Sequence, residues 1–343
     1  MIGNKFISFF LLMSSFFFCT GQKIERKIVQ PDIITQQIPN DSEDPAIWVN
    51  YKYPAESIIF GTDKNIKGAV YAFNLNGNII PEKTIYNLNE PNNIDIAYNV
   101  IISEEFKADI LVVTERGRKQ IRIFAIPSMQ PLDNGGLAVF VGEPDKYNEP
   151  MGVAFYNSPV DKSTYIIVSR KNGPVSDYLY QYKLMPDDGA LDLKLVRKFG
   201  TFSNEQEIEA IAVDSDLGFI YYADESKCIR KYYAEPLKGN MELGCFGEGL
   251  FEGDIEGIAI ANFKNGAGYI IVSNQKKGTF NIFSRKSNEF IGEINLNTKQ
   301  TDGCEVVTIP LNNTFKKGLF AAMNNDRNYY FYDLEKLGLF ELN

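Results

Sequence analysis

Charged residues of this 343-residue chain collect at the two ends of short apolar segments. Glu43, Asp44, Asp95, Glu209, Asp254, Glu256 and Asp302 stand where such segments begin. The segments that follow them end in Thr62-Asp63-Lys64, Thr114-Glu115-Arg116, Ser169-Arg170-Lys171, Ala223-Asp224-Glu225, Ser273-Asn274-Gln275 and Met323-Asn324-Asn325. If each pair of segments is a hairpin, the start of its first strand lies beside the end of its second, so both sets are expected on one face. Carboxylates brought that close repel one another unless cations intervene. An oxygen-only cluster suits calcium, which takes about six to eight oxygen ligands in flexible geometry. Lys64, Arg116, Arg118, Arg170 and Lys171 would hold an anion against the metal ions, Arg as a fork and Lys as a point charge. Any one of these acids alone reads as well as a turn-former or solvated cap. The recurrence is what argues for a site.

The elements that must position these residues repeat at intervals of roughly 50 residues, within the span of a propeller blade. Short first strands are read at Asp44–Val49, Asn93–Tyr98, Met151–Tyr156, Glu209–Val213, Glu256–Ile260 and Asp302–Val307. Second strands follow at Ser57–Asp63, Asp109–Glu115, Thr164–Arg170, Gly218–Asp224, Gly268–Asn274 and Gly318–Met323. Third strands alternate apolar and polar residues, as in Gln120–Ala125 and Thr279–Arg285, and a less apolar fourth strand such as Leu191–Arg197 completes most units. Inner strands read as continuous apolar runs because both faces are covered, whereas outer strands alternate. Helical periodicity is confined to Asp333–Leu339. The pattern predicts an all-β fold, a six-bladed β-propeller of four-stranded antiparallel blades. The last unit lacks an obvious fourth strand, and Lys27–Ile38 is expected to supply it and close the ring.

Composition narrows the chemistry. The chain has no His, which removes imidazole bases, Ser-His-Asp triads and His-ligated zinc. A formal net charge of −9 argues against a nucleic-acid partner, whose phosphates would be repelled. Residues 1–21 read as an export signal ahead of one domain over 22–343: Lys5 precedes an apolar stretch, Ile7–Phe18, too short to span a bilayer. Cys19 is either the lipid-bearing first residue of a bacterial lipoprotein or part of a signal cleaved after Gly21. The mature protein is thus expected in the periplasm, on the outer membrane or secreted, touching a membrane only through that anchor, and as a monomer. Cys228 and Cys245 fall nearly opposite each other about the turn at Glu235–Gly239, so either they pair or, with Cys304, they are buried thiols.

The segment Asp41–Val49 (DSEDPAIWV) closely resembles the opening motif of the β-propeller phytases, and Asn92-Asn93-Ile94-Asp95, Glu209–Ala212, Asp254–Gly257 and Thr301–Gly303 resemble later motifs in the family order. The likeness runs from about Gln30 to the C-terminus. It implies a six-bladed, calcium-dependent phosphatase that removes phosphate from inositol hexakisphosphate, with a cleavage site beside an affinity site. Carried over by position, Asp44, Asp95, Glu209, Glu225, Asp254, Glu256 and Asp302, with Gln275, are the implied metal ligands. Lys64, Arg116 and Lys171 are the implied phosphate holders, with Arg170 and Lys67 added to the substrate-binding set. The chain departs from the family pattern at Ala210 (usually Gly), Asn172 (often Glu), Met151 (often Tyr) and Met323-Asn324 (a more polar, acidic pair); these bear more on the affinity site than on the cleavage site.

The expected reaction is phosphomonoester hydrolysis by metal-activated water, without a covalent enzyme intermediate. Glu209 serves the metal, Arg116 and Lys64 steady the equatorial oxygens, and the substrate is phytate or its calcium complex. Two alternatives stand beside it: a calcium-dependent lactonase or esterase on the same fold, and a non-catalytic surface protein that binds polyanions or another protein.

Overall fold

The computed structural model describes residues 28–339. The expected signal segment, residues 1–21, and the expected lipid attachment at Cys19 fall outside the described residues. Among the described residues, twenty-four strands form six four-stranded antiparallel sheets. The innermost strands are Ser42–Trp48, Pro91–Ile101, Pro150–Asn157, Ile211–Asp214, Ile258–Asn262 and Cys304–Val307, one in each of blades one to six. The second strands are Ile58–Asp63, Lys107–Glu115, Thr164–Arg170, Phe219–Asp224, Gly268–Asn274 and Leu319–Asn324. The sixth blade takes its outermost strand, Ile33–Ile34, from the start of the described chain, paired with Asn328–Asp333. This is the ring closure expected of Lys27–Ile38. The expected helical stretch is a single 3-10 turn, Leu334–Leu337, whose first turn is capped by the Asp333 side chain accepting from the Glu335 N–H.

Why inner strands are apolar on both faces is visible in the core, which comprises six clusters, one at each interface between neighbouring blades. Successive residues serve opposite interfaces. Ile166 packs toward blade two with Ile110 and Ile123, while Ile167 packs toward blade four with Ile220 and Tyr222. Ile270 and Ile271 divide in the same way between blades four and six. Burying a large apolar side chain of this kind is worth roughly 1.5–3 kcal/mol, and among the described residues the twelve largest fully buried side chains are eight Tyr, two Phe and two Arg. Cys228 and Cys245 form a disulfide with Cα atoms 5.8 Å apart, tying the third strand of blade four to its short outer strand. Cys304 is a free, buried thiol.

Candidate active site

Two residues at the end of each second strand divide the labour. The first is buried and holds the loop that leads into its own blade. Asp63 accepts from the Asp41 N–H at 2.8 Å, Glu115 from Asn89 at 2.8 Å, and Asp224 from Ser203 at 2.9 Å. Asn274 accepts from Glu252 and Asn324 from Lys299, both at 2.8 Å. Blade three inverts the polarity: Arg170 donates from Nη1 to the Tyr147 carbonyl at 3.2 Å. The side chain one residue further on faces the channel mouth, giving Lys64, Arg116 and Lys171 on blades one to three, then Glu225 and Gln275 on blades four and five.

A second ring comes from the innermost strands. Register shifts at Ser42/Pro45, Pro91/Ile94 and Pro150/Val153 mark bulges in the first three blades, and a bulge re-aims the side chains it contains. Glu43, Asn92 and Met151 stand in these bulges. Glu209, Glu256 and Asp302 occupy the matching place two residues before the strands of the last three blades. The mouth they frame is a cavity of about 270 Å³.

Within it, Glu209, Glu225 and Glu256 each present one oxygen, and the three oxygens lie within 4.8 Å of one another. Burial pushes the Glu209 and Glu225 carboxyls up to about 8, with Lys64 opposing the shift at Glu209 and neighbouring acids adding to it at both. Burial also raises Glu256 well above the usual carboxylate range, and Asp302 to about 7. Gln275 donates to Asp302 at 2.8 Å and to Glu256 at 3.3 Å, and Asp254 lines the same wall. The donor set is all oxygen, crowded and mutually repulsive. It fits a hard cation such as calcium and does not fit a thiolate- or imidazole-seeking metal.

Across the mouth stand Lys64, Arg116 and Lys171. Arg116, with only 12% of its side chain exposed, lies 3.3 Å from Asn92 Oδ1, 3.5 Å from Met151 Sδ and 3.5 Å from Glu90. Lys64 pairs with the buried Glu43, and the acids around it hold its ammonium above the ordinary lysine range despite burial. Lys171 pairs with Glu207 at 2.7 Å.

Other expected site residues fall elsewhere. Arg170 is fully buried, sandwiched between Phe140 and Tyr180 with centroid distances of 4.4 and 4.7 Å, and cannot reach the mouth. Lys67 is exposed on the turn after Asp63 and does not line the cavity. Arg118 is turned onto Glu115. Asp44 and Asp95 lie below the mouth, in a channel cavity of about 130 Å³ that shares Glu256 with it. There Asp44 accepts from the Ile94 N–H at 3.2 Å, and Asp95 accepts from Phe155 at 2.6 Å and Ile96 at 2.7 Å. Burial raises Asp95 to about 6. Its neighbour Glu305, raised to about 8 by burial and by the Asp95 charge, was missed from sequence. Its signal was its place: three residues after Asp302, as Asp95 is three after Asn92. Asn92 and Glu207 were likewise given no role, and Glu43 was placed among the strand-start acids but not among the ligands.

The Phytase family matches residues 21–330. A 3-phytase of Bacillus subtilis (strain 168) is 27% identical over 303 residues, covering 83% of this chain and 75% of the relative. With its six blades and a carboxylate arc facing a basic one, the chain belongs to the phytase family of enzymes.

Proposed function

We propose that this protein hydrolyses phytate in a calcium-dependent manner, by attack of water on a phosphomonoester. The observation that carries the reading is the opposition of the Glu209–Glu225–Glu256 cluster to Lys64, Arg116 and Lys171 across one cavity. Glu209, Glu225 and Glu256, with Asp254, Gln275 and Asp302 beside them, would hold calcium, which supplies positive charge to phosphate oxygens and acidifies a water. The Arg116 guanidinium forks onto the equatorial oxygens, where charge is greatest in the transition state, and Lys64 adds a point charge. Asn92 fixes Arg116 in place from its Oδ1. Phytate free of cations would meet a mouth rich in carboxylates, so the calcium complex is the better substrate. The relative's name, 3-phytase, supports phytate as the substrate class. The Cys228–Cys245 disulfide supports export, since such bonds persist in oxidising compartments.

The experiment is phosphate release from phytate, with calcium titrated against chelator and thermal unfolding followed in parallel. Activity and melting temperature should rise together with free calcium, because a ligand of the folded state stabilises it. Full activity in excess chelator would overturn the reading. A lactonase is disfavoured by the three cations at a mouth whose walls are mainly polar.

A further inference from the structure

We propose that Glu207 is a built-in competitor for phosphate: a specificity-determining carboxylate that occupies Lys171 until a phosphate displaces it, and so keeps that subsite weak. The inference rests on the reading of the mouth as a phosphate site. Glu207 Oε1 lies 2.7 Å from Lys171 Nζ, and both side chains are half-buried, 27% and 35% exposed. Its carboxylate therefore neutralises the ammonium that a phosphate oxygen must pair with.

The local chain is built to put it there. Gln206 adopts φ 58°, a left-handed conformation uncommon for a residue with a Cβ. Ile208 is fully buried in the interface between blades three and four. Between that turn and that anchor, Glu207 is held toward the mouth. Its backbone is also tied both ways to the acidic arc: the Glu207 N–H donates to Glu225 Oε2 at 3.1 Å, and its carbonyl accepts from the Glu225 N–H at 3.3 Å. Glu207 thus stands between the two arcs, joined to one by its main chain and to the other by its side chain. Arg116 is less encumbered, since its Glu90 partner lies at 3.5 Å and is more exposed. The basic arc is accordingly graded, with Arg116 open to phosphate and Lys171 pre-engaged.

The test is a double-mutant cycle on the full calcium-loaded chain, with inorganic phosphate as the calorimetric probe and phytate kinetics alongside. Glu207→Gln keeps the shape and removes the charge. Its Kd for phosphate should fall about fivefold, the factor for an ion pair worth about 1 kcal/mol. KM for phytate should fall with it, while kcat stays unchanged. Lys171→Gln should weaken phosphate binding, and adding Glu207→Gln to that variant should tighten it by less than the same change does beside Lys171, since only repulsion and no competition is then relieved. If Lys171→Gln weakens binding but Glu207→Gln does not tighten it, the inference fails and the phosphate-site reading stands. If Lys171→Gln binds phosphate as the unmodified protein does, both fail. Loss of the calcium-dependent rise in melting temperature in Glu207→Gln would make Glu207 a metal ligand and also overturn the inference.

Discussion

Asn92, on blade two, donates from Nδ2 to Glu209 Oε1 on blade four at 2.7 Å, while its Oδ1 accepts from Arg116 at 3.3 Å. One amide thus fixes a metal-arc carboxylate and a phosphate-arc guanidinium relative to each other, using a donor for the acid and an acceptor for the base. Only an uncharged side chain with both functions can do this. Replacing it with Ala should leave the fold intact and lower kcat/KM for phytate on the order of 10- to 100-fold, the usual cost of removing a residue that orients a ligand. Asn92→Asp should be worse than Ala at Glu209, because it adds a further carboxylate to the three already gathered there. Steady-state kinetics with melting curves on both variants checks this.

Arg116 follows the last residue of one second strand and Arg170 is the last residue of another, and the two should respond oppositely. Arg116→Ala removes a fork at the mouth and should cost two or more orders of magnitude in turnover, as loss of a transition-state donor typically does, with little change in melting temperature. Arg170 sits with 1% of its side chain exposed, 3.5 Å from Glu143, and bonded to the Tyr178, Asp177 and Tyr147 carbonyls. Arg170→Ala strands those acceptors and should destabilise by about 3–5 kcal/mol in urea unfolding. The same variant, assayed below its melting temperature, should retain most activity.

How much of this was legible in the residues can be judged at the same strand ends. The blade count, the ring closure by the N-terminal strand and the two arcs followed from repetition. What did not follow was which of two adjacent polar residues faces the mouth. Asp63, Glu115, Arg170, Asp224, Asn274 and Asn324 share no charge. A role that tolerates acid, amide and guanidinium is a hydrogen-bonding role to backbone, which the residue types alone imply. Glu305 was hidden for a different reason: it sits inside an apolar strand between Cys304 and Val306, where only the register of blade two against blade six marks it. The Glu207–Lys171 pair joins loops 36 residues apart, and no local pattern reports it.

Met323-Asn324 departs from the family pattern in sequence, yet Asn324 does for the last blade what Asn274 does for the fifth. Met323 packs in the interface of blades six and one. Neither residue lines the mouth. Asn324→Asp, which keeps the acceptor that Asp63 and Asp224 use elsewhere, should be tolerated. Asn324→Ala leaves the Lys299 N–H without its partner and should cost roughly 1–3 kcal/mol. Chemical denaturation of the two variants separates the outcomes, and a loss of phytate hydrolysis in Asn324→Asp without loss of stability would place Asn324 in the site instead.

The raised carboxyls set a pH dependence with a definite sign. Glu209 and Glu225 are held near 8 and Asp302 near 7, above the usual range for exposed carboxyls. In chelator the folded state therefore binds more protons than the unfolded chain between about pH 4.5 and 8. Stability that is fully present near pH 4.5 is then lost as pH rises through 7 to 8, where the folded protein must ionise crowded acids. Calcium competes with those protons, so its stabilisation should grow over the same interval. Melting temperature in chelator is expected to fall from pH 5 to pH 8.5, and the calcium-induced increment to rise. Substituting Glu256→Gln relieves the crowding and should flatten the first curve while shrinking the second. A chelator curve that instead climbs with pH would mean that these carboxyls ionise without mutual cost, and the cluster would lose its claim to need a cation.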